Sequence, residues 1–165
     1  GQESSRESND IWSVAYIGGV TIRTNDRSSF RGGAIVPETE ARGATPFGVA
    51  VHELSHLLGA LDLYSRSGES YVGKWGLMDR GLWNGDPPGS SPSHLSAWSR
   101  LTKLEWIPDG DIYTATIGVK TNVTLAPAES IPGDGQTQLI KVPLSSDGKE
   151  YYLLEARTRI GYDSG

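Results

Sequence analysis

His52-Glu53-Leu54-Ser55-His56-Leu57-Leu58-Gly59-Ala60-Leu61-Asp62 is the stretch on which the reading of this chain turns. Thr45-Pro46, just ahead of it, is a helix start signal: a capping hydroxyl, then proline at the first helical position. A helix is therefore expected over Phe47 to Leu58, with Gly59 placed to end it. On that helix His52 and His56 are four residues apart and share a face, so both imidazoles can point at one ion. Glu53 diverges from its neighbours by about 100° and cannot share that face. Its carboxylate can reach a water on the metal and move a proton there. A solvated polar helix face could carry the same five residues by chance, so the residues after His56 decide. Gly59 lacks a Cβ and can take the left-handed turn that reverses the chain. That reversal brings Asp62 toward the ion as a third ligand, whereas as a bland alternative Asp62 is only a turn acid. Three protein ligands leave a fourth position open to water, which is the catalytic arrangement.

The only methionine, Met78, lies in Trp75-Gly76-Leu77-Met78-Asp79, sixteen residues past Asp62. At that spacing a methionine turn beneath the metal is the preferred reading over a simple gap-filler. Other residues carry weaker readings. His94 is expected to pack or face solvent, early in a second helix. Tyr64 could assist an oxyanion, but a packed aromatic is the commoner case. Asp79 and Glu69 read as spare acids. Trp75, Trp83, Trp98 and Trp106 read as core or loop anchors first and substrate contacts second.

Outward from this centre, the chain has 165 residues, 36% hydrophobic, with 21 glycines and 9 prolines. That describes a loop-rich globular domain. The formal net charge is -5 without a basic run, which argues against a nucleic-acid surface. No apolar stretch approaches the roughly 20 residues that span a bilayer. With no cysteine, a transition-metal site must use His, Asp or Glu. Residues 1–10 read as a polar lead-in. Short strands are expected at Ile11 to Tyr16 and Val20 to Thr24 around a Gly18-Gly19 turn. A polar loop should follow over Thr24 to Gly33, then an edge strand Ala34 to Val36 stopped by Pro37. Residues 64–93 read as irregular. The second helix should start near Ser91 or Ser93 and bury Leu95, Trp98 and Leu101. After Pro108 the pattern is β-like: Ile112 to Val119, Asn122 to Leu125, Leu139 to Val142 and Tyr151 to Ala156.

The strings HELSHLLGALDLY (52–64), KWGLMDRGLWNG (74–85) and PSHLSAWSRLTKLEW (92–106) resemble the immune inhibitor A family of secreted metallopeptidases. Asn9-Asp10-Ile11-Trp12, Ile35-Val36-Pro37-Glu38 and Glu150 to Arg157 extend the resemblance. It implies an α+β, zincin-like (metzincin) catalytic domain: a twisted mixed sheet on the active-site helix, a methionine turn at Met78, and a β-rich C-terminal part. It implies one catalytic zinc held by His52, His56 and Asp62, with Glu53 as general acid/base. Ser55 stands where that family's helix usually carries glycine, and serine still permits helix. The family's domain extends beyond both ends of this chain, so a single domain incomplete at both ends is expected, with a zinc-binding core over 1–107 and a β-rich continuation over 108–165. The implied activity is endopeptidase cleavage of protein or peptide substrates outside the cell. The alternative is a zincin-fold module that binds zinc or protein without cleaving. The family often binds calcium as well, and Asp109, Asp111, Asp134 and Asp163 are available, but none has a calcium-loop spacing. Oligomeric state is not readable.

Overall fold

Ten residues from Val14 to Arg23 form β1, and Ser29–Ile35 form β2, antiparallel to it. This computed structural model describes residues 10–40 and 43–164; the expected lead-in lies outside these, apart from Asp10. The turn of the hairpin is not at Gly18-Gly19. It lies at 24–28, where the Thr24 amide donates to the Ser28 carbonyl (2.9 Å) and Asp26 accepts from the Ser28 amide (3.1 Å). Short polar residues closing on their own backbone make that turn. Gly18 and Gly19, at φ 101° and 85°, instead form a bulge inside β1, where the register with β2 shifts between Ile17 and Thr21. The second half of the polar loop expected over Thr24 to Gly33 is thus strand.

The helix α1 spans Phe47–Leu58 as expected. Pro46 already has helical angles, and the Thr45 hydroxyl accepts from the Phe47 amide (3.1 Å). At the far end the Gly59 amide donates to the His56 carbonyl and the Ala60 amide to the Ser55 carbonyl, both at 3.0 Å. This pair of bonds closes the helix around a left-handed glycine at φ 109°. Ser55 is buried and returns its hydroxyl to the Val51 carbonyl (2.8 Å). The helix packs against β1 and β2, and Gly32 permits that approach, because a Cβ there would meet the Tyr16 carbonyl oxygen at 2.3 Å and a Leu57 methyl at 3.3 Å.

The chain divides after His94 into two units, the second running Leu95–Ser164. In the second, α2 is Ala97–Thr102, shorter and later than expected. Ser96 rather than Ser91 or Ser93 caps it, accepting from the Ser99 amide (3.3 Å). The anticipated stripe holds only in part: Leu95 is buried but precedes the helix, Leu101 packs against the core, and Trp98 is exposed, while the helix's buried residues are Ala97, Ser99 and Arg100. Arg100 can be buried because it pairs with Glu155 at 2.8 Å. Strands β3 (Ile112–Thr114), β6 (Leu139–Pro143) and β7 (Tyr151–Leu154) form a mixed sheet, parallel then antiparallel. β4 (Thr124–Leu125) and β5 (Gln136–Thr137) pair in parallel. Leu139, fully buried, centres a core with Ala97 and Ile107. The class is α+β with few helices and small sheets. Among the described residues the sheet beside α1 is an antiparallel pair, and the mixed sheet lies in the second unit. A tight hairpin between neighbours in sequence can only pair antiparallel.

Gly48 tests the seating of α1. Helix propensity favours alanine over glycine by about 1 kcal/mol, yet a Cβ at Gly48 would stand 1.9 Å from the Leu82 carbonyl oxygen. The Gly48 amide also donates to the Gly89 carbonyl at 3.0 Å. Gly48→Ala should therefore destabilise, by about 1–3 kcal/mol as overpacking does, in chemical denaturation. A more stable variant would show that the loop at 82–89 does not press on the helix.

Candidate metal centre

One turn of α1 and the reversal after it bring His52, His56 and Asp62 together. Their ligand atoms all lie within 4.8 Å of one another. Each histidine Nε2 is 3.2 Å from Asp62 Oδ1. The other ring nitrogens point away: His52 Nδ1 meets the Leu77 carbonyl (3.0 Å) and His56 Nδ1 meets the Ala60 carbonyl (2.9 Å). A carbonyl oxygen only accepts, so Nδ1 is the donor in both rings and Nε2 is turned to the common point. A tetrahedral ion with bonds of about 2.0–2.1 Å separates its donor atoms by about 3.3 Å. The spacing and the donor set of two imidazoles and a carboxylate fit such an ion.

The electrostatics match that crowding. Burial pushes the Asp62 carboxyl up, but hydrogen bonds from His52 and His56 and their charge prevail and hold it well below the carboxylate range. The hydrogen bond to Asp62 raises His56 against the opposing effect of burial. Tyr64 stacks on His52 with centroids 6.3 Å apart and planes 18° from parallel. Burial, then the negative charge of Asp62, pushes its hydroxyl up to about 12, so it stays a donor at neutral pH.

Glu53 is buried and stands outside the ligand group. It lines, with His52, Tyr64, Val49, Leu82 and Trp83, a cleft of about 300 Å³. Met78 is fully buried in a tight turn that the Asp79 amide closes on the Gly76 carbonyl (3.0 Å). Gly59 supplies the reversal. His94 sits ahead of α2 and is half-buried; its carbonyl accepts from the Leu77 amide (3.2 Å). Glu69 is exposed. The tryptophans are not core: Trp75 is 72% exposed and Trp83, Trp98 and Trp106 are exposed too. A large ring that carries a polar N–H is seldom fully buried, and Lys103 rests over Trp98 at 5.2 Å. Asp79 departs furthest from its expected place as a spare acid, since it is 1% exposed and densely hydrogen-bonded. Its only sequence signal is its place directly after Met78.

The family model of the immune inhibitor A peptidase M6 catalytic domain matches residues 11–106, more than half of the chain. The chain belongs to that family. No curated protein matches it. Membership in this metallopeptidase family implies a metal and protein or peptide substrates, and such enzymes are generally extracellular. No helix among the described residues is long and apolar enough to cross a membrane.

The raised His56 sets a pH dependence. A metal needs the neutral imidazole, so the proton competes with it. Because His56 holds its proton above its ordinary value of 6.5, metal affinity should rise with pH through and beyond that value. In the metal-free protein the sign reverses: stability from the His56–Asp62 pair is present below 6.5 and lost as pH rises through the raised value. Competition against a chelator across that range should show the rise, and a flat profile would contradict the assignment of His56.

Proposed function

We propose that this chain is the core of a secreted zinc endopeptidase in which His52, His56 and Asp62 hold the ion and Glu53 is the general acid/base. The observation that carries the reading is the convergence of both Nε2 atoms on Asp62 Oδ1 at 3.2 Å, inside a span matched to a peptidase catalytic domain. When bound, zinc supplies Lewis-acid polarisation of the attacking water and the scissile carbonyl. The chain supplies the rest. Glu53, buried in the cleft wall, takes a proton from the water and returns it to the leaving amine. His52 and His56, each held at Nδ1 by a carbonyl, keep their other nitrogens turned toward the metal position. Met78 forms the apolar floor of a methionine turn, in a zincin fold of the metzincin type. Tyr64 stands beside His52 as a protonated donor. β2 pairs with β1 alone among the described residues, which suits it to align an extended substrate. The matched span runs past the boundary at His94, so the reading assigns both units to one catalytic domain. Calcium is no part of it.

Glu53→Gln keeps the side-chain shape and removes the basic carboxylate. It should lower casein hydrolysis about a hundredfold or more while about one zinc per chain remains bound. His56→Ala should lose the zinc as well. Elemental analysis beside a casein assay, with and without chelator, separates the readings. Wild-type cleavage by Glu53→Gln would end the proposed mechanism, and zinc without any cleavage by the wild type would favour a binding module.

A further inference from the structure

Leu77 and Met78 present successive carbonyls to the metal centre. The first accepts from His52 Nδ1 (3.0 Å), and the second accepts from the amide of Leu63 (2.7 Å), the residue after Asp62. One short turn thus sets the ring of one ligand and seats the backbone beside another. The next side chain holds that turn in place. Asp79 Oδ2 accepts from the Ser70 hydroxyl (2.9 Å) and from the amides of Tyr71 (3.0 Å), Val72 (2.8 Å) and Gly73 (2.9 Å). Its Oδ1 accepts from the Arg80 amide at 2.9 Å. The loop wrapped around it is continuous with the ligand strand, since Tyr64 and Ser70 form a bridge and the Tyr71 amide also donates to the Leu63 carbonyl (3.1 Å). The contacts close a circuit from Asp62-Leu63-Tyr64 through the 70–73 loop to Asp79, then to the Leu77-Met78 carbonyls and back to His52 and Leu63.

We propose that Asp79 is a positioning residue of the metal centre: its buried carboxylate fastens the 70–73 loop to the turn whose carbonyls orient His52 and seat the segment after Asp62. The chemistry demands a carboxylate. Every group facing it is a donor, and an amide side chain would set its own N–H₂ against one or more of them. A buried acceptor of this kind, with backbone dipoles gathered on it, is rigid and costly to disturb. Asp79 stands outside the His52–His56–Asp62 group, and its carboxylate is spent on the loop and the turn, so it acts through the two carbonyls.

The inference rests on the zinc reading, and the experiment separates the two. Zinc affinity by chelator competition, and exchange protection of the His52 Nδ1 proton by NMR in metal-free protein, are compared for wild type, Asp79→Asn and Leu139→Ala. The last variant destabilises the second unit and serves as the control. Asp79→Asn should bind zinc about 10–100-fold more weakly, as loss of a ligand's supporting partner does, and lose protection at His52. Leu139→Ala should change neither. If Asp79→Asn does not fold, Ser70→Ala removes one donor and should show the same two changes in smaller degree. Wild-type affinity and protection in the folded variant tested overturn the proposal, as does an equal loss in Leu139→Ala. If wild type takes up no zinc, the metal assignment falls, and His52 protection alone decides the role of Asp79.

Discussion

The reversal at Gly59 is the constraint on which the centre depends. A helix alone can offer His52 and His56 to one point, but a third ligand must arrive from elsewhere. By leaving α1 at φ 109°, the chain turns back within one residue. That single backbone angle has two consequences. The Ala60 carbonyl comes within 2.9 Å of His56 Nδ1, and Asp62 Oδ1 comes within 3.2 Å of both Nε2 atoms. A side chain with a Cβ resists that angle, so the glycine and the ligand geometry are one requirement.

The helix that carries His52 and His56 inverts ordinary amphipathicity. Its buried residues include His52, Glu53 and Ser55, while Leu54 and Leu58 are more than half exposed. A surface helix normally turns leucine inward and polar groups outward. Here polar groups go inside where partners meet them: the Leu77 carbonyl for His52 and the Val51 carbonyl for Ser55. Local rules are broken where chemistry is housed, as is common at functional sites.

That inversion explains what could be read from the sequence and what could not. The extent of α1, the turn at Gly59 and the grouping of His52, His56 and Asp62 arise from spacing, capping and a glycine, all local quantities. Gly18-Gly19 has the composition of a turn yet forms a bulge, because which glycine pair closes a hairpin depends on the partner strand's register. The start of α2 is hidden for a related reason: Ser91, Ser93 and Ser96 can each cap a helix, and only packing chooses. Asp79 gives no signal beyond its place after Met78, because its partners on the 70–73 loop lie six to nine positions back and most are backbone amides, which every residue except proline carries.

Asp62, exposed, and Asp79, buried, show two ways of holding a carboxylate charged. Burial opposes both, and both are nonetheless held low. Asp79 is charge-stabilised by backbone amides and the Ser70 hydroxyl. Asp62 is held by imidazoles whose Nε2 atoms are the atoms a metal would take. The hydrogen bond to Asp62, and after it the Ala60 carbonyl and the charge of Asp62, raise His56 above its ordinary value. A divalent cation held there would meet the Asp62 carboxylate without the proton on His56. Metal and proton therefore satisfy one electrostatic demand at one place.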